Sequence, residues 1–292
     1  MRKMQCKQAI QAFACAFILA FAVPAWAQKT GIPKLSAGEA KYDDARQAEL
    51  MKRQVEALAP QTSGVTDIYA IGLAGWATQS VFRDELNGAL EITGKMLTIT
   101  SSIRLINNAQ TYDAFPLASR PNFAAAVHAV ASVMNKEEDV LFLFLTSHGN
   151  RDGIALQLPS GLVPLSPKEV AAVLKKEGIK NRVVIVSSCF SGVYVKPLAN
   201  ENTIVLTAAD TKNTSFGCAD GREWTYFGDA LFAQSLKPGK DFKAAYTNAR
   251  ALIAAWEKRD RYKPSNPQGS FGKALVEKLA PLFEARATAK AN

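Results

Sequence analysis

The sequence predicts an α/β fold in which a mostly parallel sheet lies between two layers of helices. Short apolar runs alternate with helix-length amphipathic segments, which is the order of repeated βαβ units. Leu141–Leu145 and Val183–Val186 are continuously apolar, as strands are when helices cover both faces of a sheet. Hydrophobic residues make up 48% of the 292 positions, enough for one large core. A three-layer α/β/α sandwich follows from these observations.

Periodicity and turn residues place the individual elements. The predicted strands are Asp67–Leu73, Met96–Ser101, Val140–Thr146, Arg182–Ser187 and Thr203–Ala208. The predicted helices are Ser80–Leu90, Asn122–Met134, Pro167–Lys176, Phe227–Ser235, Phe242–Glu257 and Gly272–Phe283. Arg259–Ser270 is rich in proline, asparagine and charge and is predicted to be a surface loop.

Residues 1–27 are typical of a secretory signal. Basic residues open the segment, Ala12–Val23 is apolar, and Ala25-Trp26-Ala27 has small residues at the cleavage positions. An uncleaved anchor is disfavoured because the apolar run is shorter than the roughly 18 residues that cross a bilayer. We expect an exported protein, periplasmic or secreted, without an integral membrane span. Residues 28–64 then form a polar lead-in segment, residues 65–285 the main domain and residues 286–292 a tail.

The distribution of charge and the lack of metal-ligand motifs argue against two kinds of partner, nucleic acids and metal ions. The net charge of +9 falls by three, to +6, when Arg2, Lys3 and Lys7 leave with the signal. The remaining basic residues are scattered without interleaved aromatic side chains, so nucleic-acid binding has no support. Neither a Cys-x-x-Cys pair nor a His-Glu-x-x-His motif occurs, and we expect no metal or other cofactor.

Cleavage of the signal would remove Cys6 and Cys15 and leave two cysteines, Cys189 and Cys218. In an oxidising compartment such a pair often forms a disulfide. The alternative is a working thiol, and the sequence around Cys189 favours it.

Reactive side chains follow two of the predicted strands. His148 comes after Val140–Thr146, and Cys189 comes after Arg182–Ser187. The active crevice of an open α/β sheet lies beyond the carboxyl ends of its strands, so neighbouring strands would bring imidazole and thiol together. A nucleophile beside a general base is what acyl transfer requires. The backbone N–H groups of Gly149 and Cys189 are candidate donors for an oxyanion hole.

Other assignments of the reactive groups are weaker. His128 lies in a helical pattern without an acidic or thiol companion and is interpreted as a packing or surface residue. A serine mechanism at Ser188 or Ser191 is disfavoured because neither residue lies in a Gly-x-Ser-x-Gly motif.

Four segments carry a family resemblance. Leu143–Gly149 is an apolar strand ending in His-Gly, and Val184–Gly192 is a strand ending in Cys-x-Ser-Gly. Thr207–Cys218 is similar to a pocket wall, and Thr225–Asp229 is similar to a Thr-Tyr-Leu-Gly-Asp segment. Together they resemble peptidase family C13, the legumain and GPI-transamidase group of caspase-fold cysteine peptidases.

The resemblance implies a caspase-like domain that acts on a protein or peptide substrate. By match, Ser215 and Asp229 recognise an asparagine or aspartate side chain at the cleaved bond. Asp229 has a second interpretation, as a cap of the helix that follows it. Legumains carry an Arg-His pair after Gly-Trp; this sequence lacks it, and Arg83 is the nearby positive charge.

The sequence thus predicts a cysteine endopeptidase in which Cys189 attacks the scissile carbonyl and His148 acts as general base. Water then hydrolyses the acyl-enzyme, whereas interception by an amine gives transpeptidation or transamidation. The alternative from another class is a non-catalytic envelope binding module with a Cys189–Cys218 disulfide.

Overall fold

The structure, a computed structural model, describes residues 44–289, so the predicted signal, the start of the lead-in segment and residues 290–292 of the predicted tail lie outside it. Its strands are β1 (Ile68–Ala74), β2 (Ile99–Ile106), β3 (Val140–Thr146), β4 (Gly149–Asn150), β5 (Gly153–Leu158), β6 (Gly161–Leu165), β7 (Asn181–Ser187), β8 (Thr203–Thr207) and β9 (Gln268–Phe271). Its helices are α1 (Asp44–Glu56), α2 (Ser80–Leu97), α3 (Arg120–Val133), α4 (Pro167–Lys176), α5 (Val195–Leu198), α6 (Tyr226–Gly228), α7 (Phe242–Arg259) and α8 (Lys273–Ala289).

The main sheet has the strand order β2-β1-β3-β7-β8-β9. Its first five strands are parallel, and β9 runs antiparallel to β8 at one edge. Every residue of β1 and β3 is buried. Helices α2, α7 and α8 pack on one face of the sheet, and α1, α3 and α4 pack on the other. The predicted three-layer sandwich with a mostly parallel sheet is therefore confirmed.

Two local predictions need correction, and one small sheet was not predicted. The strand predicted over Met96–Ser101 begins only at Ile99, because Leu97 is buried in the last turn of α2 and Thr98 ends that helix in the left-handed region. A second, antiparallel sheet of β4, β5 and β6 was not predicted. The loop predicted over Arg259–Ser270 contains the start of β9, whose short and polar sequence gives no apolar alternation to recognise.

Helix α1 covers β2, the strand at the other edge of the main sheet. The Gln54 side chain pairs with the backbone of Arg104 in both directions: its Nε2 donates to the carbonyl oxygen at 2.9 Å, and its Oε1 accepts from the N–H at 2.6 Å. Met51, on the same helix, joins the core beneath α3. The unpaired peptide groups of an edge strand can pair with another chain, and here the Gln54 amide binds both the N–H and the carbonyl group of Arg104.

Within residues 44–289, no helix has both the length and the apolar composition for a membrane crossing.

We expect Gln54→Ala to lower the free energy of unfolding by about 1 to 2 kcal/mol, because two hydrogen bonds to the edge strand are lost. Urea denaturation followed by circular dichroism measures this change. Lys52→Ala is the matched control on the same helix; its ion pair with Glu56 is exposed, so a change of under about 0.5 kcal/mol is expected. Equal stability of the two variants would show that the Gln54 amide does not hold α1 on the sheet.

Candidate active site

The pairing of β3 with β7 brings the two predicted reactive residues to one edge of the sheet. Thr146 and Ser187, the last residues of the two strands, are partners in the parallel register. The loops that follow are in close contact: a Cβ on Gly149 would lie 2.8 Å from the Cys189 carbonyl oxygen. Only glycine fits at position 149 without moving that backbone.

Two aromatic rings shield His148 from water. Trp76 and Phe82 lie edge-on to the imidazole, with ring centroids 4.5 and 5.1 Å from it. This burial lowers the pKa of His148 from 6.5 to about 4 because the charged imidazolium loses its hydration. The imidazole is therefore neutral at pH 7 and able to accept a proton.

The side chain of Gln79 fixes which ring nitrogen accepts that proton. The Gln79 Nε2 group donates to the carbonyl oxygen of Cys218 at 2.8 Å, and its Oε1 lies 2.6 Å from His148 Nε2. A carbonyl oxygen can only accept, so the amide nitrogen must face Cys218 and the amide oxygen must face the ring. His148 Nε2 accordingly carries the hydrogen, which leaves the lone pair on Nδ1.

The thiol of Cys189 lies against the loop that contains Ser215. The Ser215 N–H donates to Cys189 Sγ at 3.4 Å, and the Ser215 hydroxyl lies 3.8 Å from the sulfur. No direct hydrogen bond joins His148 and Cys189, both of which the structure describes. Such bonds between catalytic groups are often long without substrate and shorten when it binds.

Both cysteines are free thiols in the structure. Burial, together with smaller electrostatic interactions with Cys189 and Glu85, raises the pKa of the Cys218 thiol to about 11. A buried thiol of such high pKa forms little thiolate, so Cys218 is a poor nucleophile.

The backbone turns sharply directly after Cys189. Phe190 has a φ of 57°, in the left-handed region that bulky residues rarely adopt, and its N–H donates to the Asn213 carbonyl oxygen at 2.9 Å. Ser191 and Gly192 join this turn to the end of β8: the Ser191 hydroxyl accepts from the Ala209 N–H at 3.0 Å. The Ser-Gly part of the motif therefore positions the backbone of the turn, and the strained residue is the neighbour of the predicted nucleophile.

The residues predicted for substrate recognition lie on two connected segments. The loop containing Ser215 bonds to the start of α6, because the Tyr226 N–H donates to the Phe216 carbonyl oxygen at 3.0 Å. Asp229 follows α6 in a π-helical segment and accepts from Gln234 Nε2 at 3.1 Å. Asp229 lies in the first turn of this segment, where a carboxylate suits the helix dipole, but its cap position is occupied by Gly228.

Two other predicted residues have defined partners. The guanidinium of Arg83 binds Asp84, its neighbour on α2, and also Asn108 and Gln110, which follow β2. His128 lies on the exposed face of α3 with its Nδ1 3.0 Å from Glu177. Of the two predicted roles, packing or surface, the structure shows the surface one, and Glu177 is an acidic partner that the local sequence did not reveal.

Sequence reasoning missed Gln79 and Glu85, which both contact groups at this edge. Glutamine before a helix and glutamate within one are common surface residues, so the sequence carries no signal for either role. Their importance emerges only when α2 packs beside the ends of β3 and β7.

A mostly parallel sheet with a histidine and a cysteine just beyond the ends of adjacent strands is the arrangement that a caspase-like cysteine peptidase requires. The profile of the family described as "Peptidase C13 family" matches residues 120–276, more than half of the chain. The chain therefore belongs to the Peptidase C13 family, which implies a protein or peptide substrate and cysteine peptidase-type function.

A solved structure supports the fold. Caspase-1 from Spodoptera frugiperda superposes with a TM-score of 0.50 at 8% sequence identity, over 74% of this chain and 89% of the caspase chain. No curated protein matches the sequence.

We expect nitrogen-15 NMR to show a neutral His148 ring with its hydrogen on Nε2 at pH 7, titrating near pH 4. Gln79→Leu should abolish the preference for that tautomer, because the amide acceptor is removed. A His128→Asn variant assigns the two sets of ring signals. Titration of His148 near pH 6.5, or an unchanged tautomer in Gln79→Leu, would contradict the geometry described above.

Proposed function

We propose that this protein is a cysteine-type endopeptidase in which Cys189 is the nucleophile and His148 the general base. The observation that carries the proposal is the close contact of the two strand-end loops, Gly149 against the Cys189 carbonyl, at the edge where β3 and β7 end. The shielded, neutral imidazole supports it, because a base must be unprotonated to act.

The proposed reaction passes through a thioester. As Cys189 Sγ bonds to the scissile carbonyl carbon, its proton passes to His148 Nδ1. The imidazolium then protonates the leaving amine as the carbon–nitrogen bond breaks. A water molecule gives a proton to the same nitrogen and attacks the thioester, which releases the carboxylic acid and restores the thiol. The N–H groups of Gly149 and Cys189 are proposed to stabilise the oxyanion of both tetrahedral intermediates.

We propose Ser215 and Asp229 as the residues that recognise asparagine or aspartate before the cleaved bond. Ser215 contacts the sulfur itself, so a side chain bound beside it lies next to the reacting carbonyl. The loop carrying Ser215 and the helix leading to Asp229 are joined by the Tyr226–Phe216 hydrogen bond. A carboxylate with a hydroxyl suits the amide NH₂ of asparagine, since a polar pocket rejects side chains that leave it unpaired.

Hydrolysis is the proposed outcome of the acyl-enzyme, and export through the N-terminal segment is the proposed route of the chain. An amine in place of water would give transamidation by the same groups. Mass spectrometry of products formed with and without an added amine nucleophile separates the two reactions.

We expect a peptidyl electrophile to label Cys189 and no other residue of the mature protein. His148→Asn should slow labelling and peptide turnover by about 10²- to 10⁴-fold, because the thiol loses its base. His128→Asn replaces the other histidine, on the surface of α3, and should leave both rates unchanged. Peptide mapping by mass spectrometry locates the label. Labelling of Cys218, or equal rates in the two histidine variants, would rule out the proposed pair.

A library of peptides that vary the residue before the cleaved bond tests the pocket. We expect cleavage after asparagine or aspartate, and Asp229→Asn should lower kcat/KM for asparagine peptides at least about tenfold. The ratio of kcat/KM for asparagine peptides to kcat/KM for peptides with other residues at that position is an internal control for folding, because misfolding lowers both values equally. A preference for basic or large apolar residues would refute the pocket assignment.

A further inference from the structure

Glu85, on α2, is a carboxyl group buried directly beneath the proposed active site. Its side chain has no exposed surface, and no salt bridge to it exists within the part of the chain that the structure describes. Burying a carboxylate without a cation is costly, and a leucine at this position would avoid that cost. The hydrogen bonds of Glu85 offset part of that cost.

Three hydroxyl groups from three separate segments surround the Glu85 carboxyl. The Thr146 hydroxyl donates to its Oε2, while the hydroxyls of Ser187 and Thr225 donate to its Oε1 at 3.2 and 2.5 Å. A carboxylate accepts all three of these bonds at once. One side chain thus ties together β3, β7 and the start of α6.

Each of these hydroxyls lies a short distance along the chain from a residue of the proposed site. Thr146 precedes His148 by two residues, and Ser187 precedes Cys189 by two residues. Thr225 caps α6, which leads directly to Asp229. The carboxyl group is therefore connected to the base, to the nucleophile and to the predicted specificity residue through short stretches of backbone.

The fit around the carboxyl is tight. A Cβ on Gly228 would lie 2.0 Å from Glu85 Oε1, so the backbone of α6 rests on the carboxyl oxygen. Cys218 is the titratable group that interacts electrostatically with Glu85 from the facing loop, and Asp229 follows Gly228 on the facing helix. Burial raises the pKa of Glu85 to about 7, although the three hydroxyls oppose this shift.

We propose that Glu85 is a positioning residue for the peptidase reaction: its carboxylate holds the strand ends that carry His148 and Cys189 in their reactive arrangement. This inference rests on the function proposed above. The neighbours of Glu85 on α2 do not share the role, since Arg83 and Asp84 pair with each other at 2.8 Å.

Glu85→Gln tests the proposal because it keeps the size of the side chain and removes the negative charge. The amide has one acceptor oxygen and a donor NH₂, so it cannot accept from the three hydroxyls as the carboxylate does. We expect kcat to fall about ten- to hundredfold with little change in KM, because bound substrate is attacked from a misaligned site. Glu91→Gln, on the same helix and exposed beside Lys95, is the matched control and should leave kcat unchanged.

The pH dependence distinguishes positioning from simple structural support. The carboxylate is the form that accepts all three hydroxyls, so kcat of the wild-type protein should rise as pH increases through about 7, and Glu85→Gln should lack that rise. The stability of the wild-type protein should instead fall as pH increases. The pKa is higher in the folded state than its ordinary value of 4.5, so folding favours the protonated form, and that contribution is lost as pH rises through about 7. The Tm of Glu85→Gln minus the Tm of wild type should therefore be larger at pH 8 than at pH 5.

Thr146→Val provides a second test, since it removes one hydroxyl and retains the shape of the side chain. It should lower kcat in the wild-type background and have a smaller effect in the Glu85→Gln background. A lower Tm of Glu85→Gln at every pH with unchanged kcat would show a purely structural role and overturn the inference. If wild type turns over peptides in a His148-dependent way while Glu85→Gln matches it, this inference alone fails. If wild type shows no such turnover, the proposed function fails instead.

Discussion

The parallel pairing of β3 with β7 is the interaction on which the rest of the site depends. Both strands are fully or almost fully buried, and their register aligns Thr146 with Ser187 at the last residue of each strand. Helices cover both faces of these continuously apolar strands, and the hydroxyls of Thr146 and Ser187 both bond to Glu85 where the two strands end in register. The positions of the two following loops, and hence of the imidazole and the thiol, follow from core packing.

A second constraint is the exclusion of water around the imidazole. Trp76 and Phe82 keep the ring neutral by making the imidazolium costly, and the Gln79 amide selects the tautomer. With a neutral base, the proposed mechanism moves the proton only as the sulfur attacks, and this differs from a preformed thiolate–imidazolium pair. The buried Glu85 carboxyl, one turn along α2 from Phe82, accepts hydrogen bonds from the hydroxyls of the two strand ends, so electrostatics and packing act on the same few residues of backbone.

The sequence predicted the features that depend on long apolar patterns and on distinctive residue types. The five parallel strands and the His148 and Cys189 strand ends belong to this group, although the strand predicted from Met96 was displaced by the length of α2. The hairpin of β5 and β6 and the antiparallel strand β9 were missed because they are short and defined by tertiary pairing. Gln79 and Glu85 could not be identified because their partners are 69 and up to 140 residues away along the chain, a separation that no local pattern encodes.

A crystal structure of the mature protein trapped with a peptide aldehyde or a related electrophile would show directly whether Cys189 and His148 act together. We expect a covalent bond from Cys189 Sγ to the former carbonyl carbon, with His148 Nδ1 facing the adduct and Nε2 still bonded to Gln79. An adduct on another residue, a Cys189–Cys218 disulfide, or an imidazole turned away from the sulfur would contradict it.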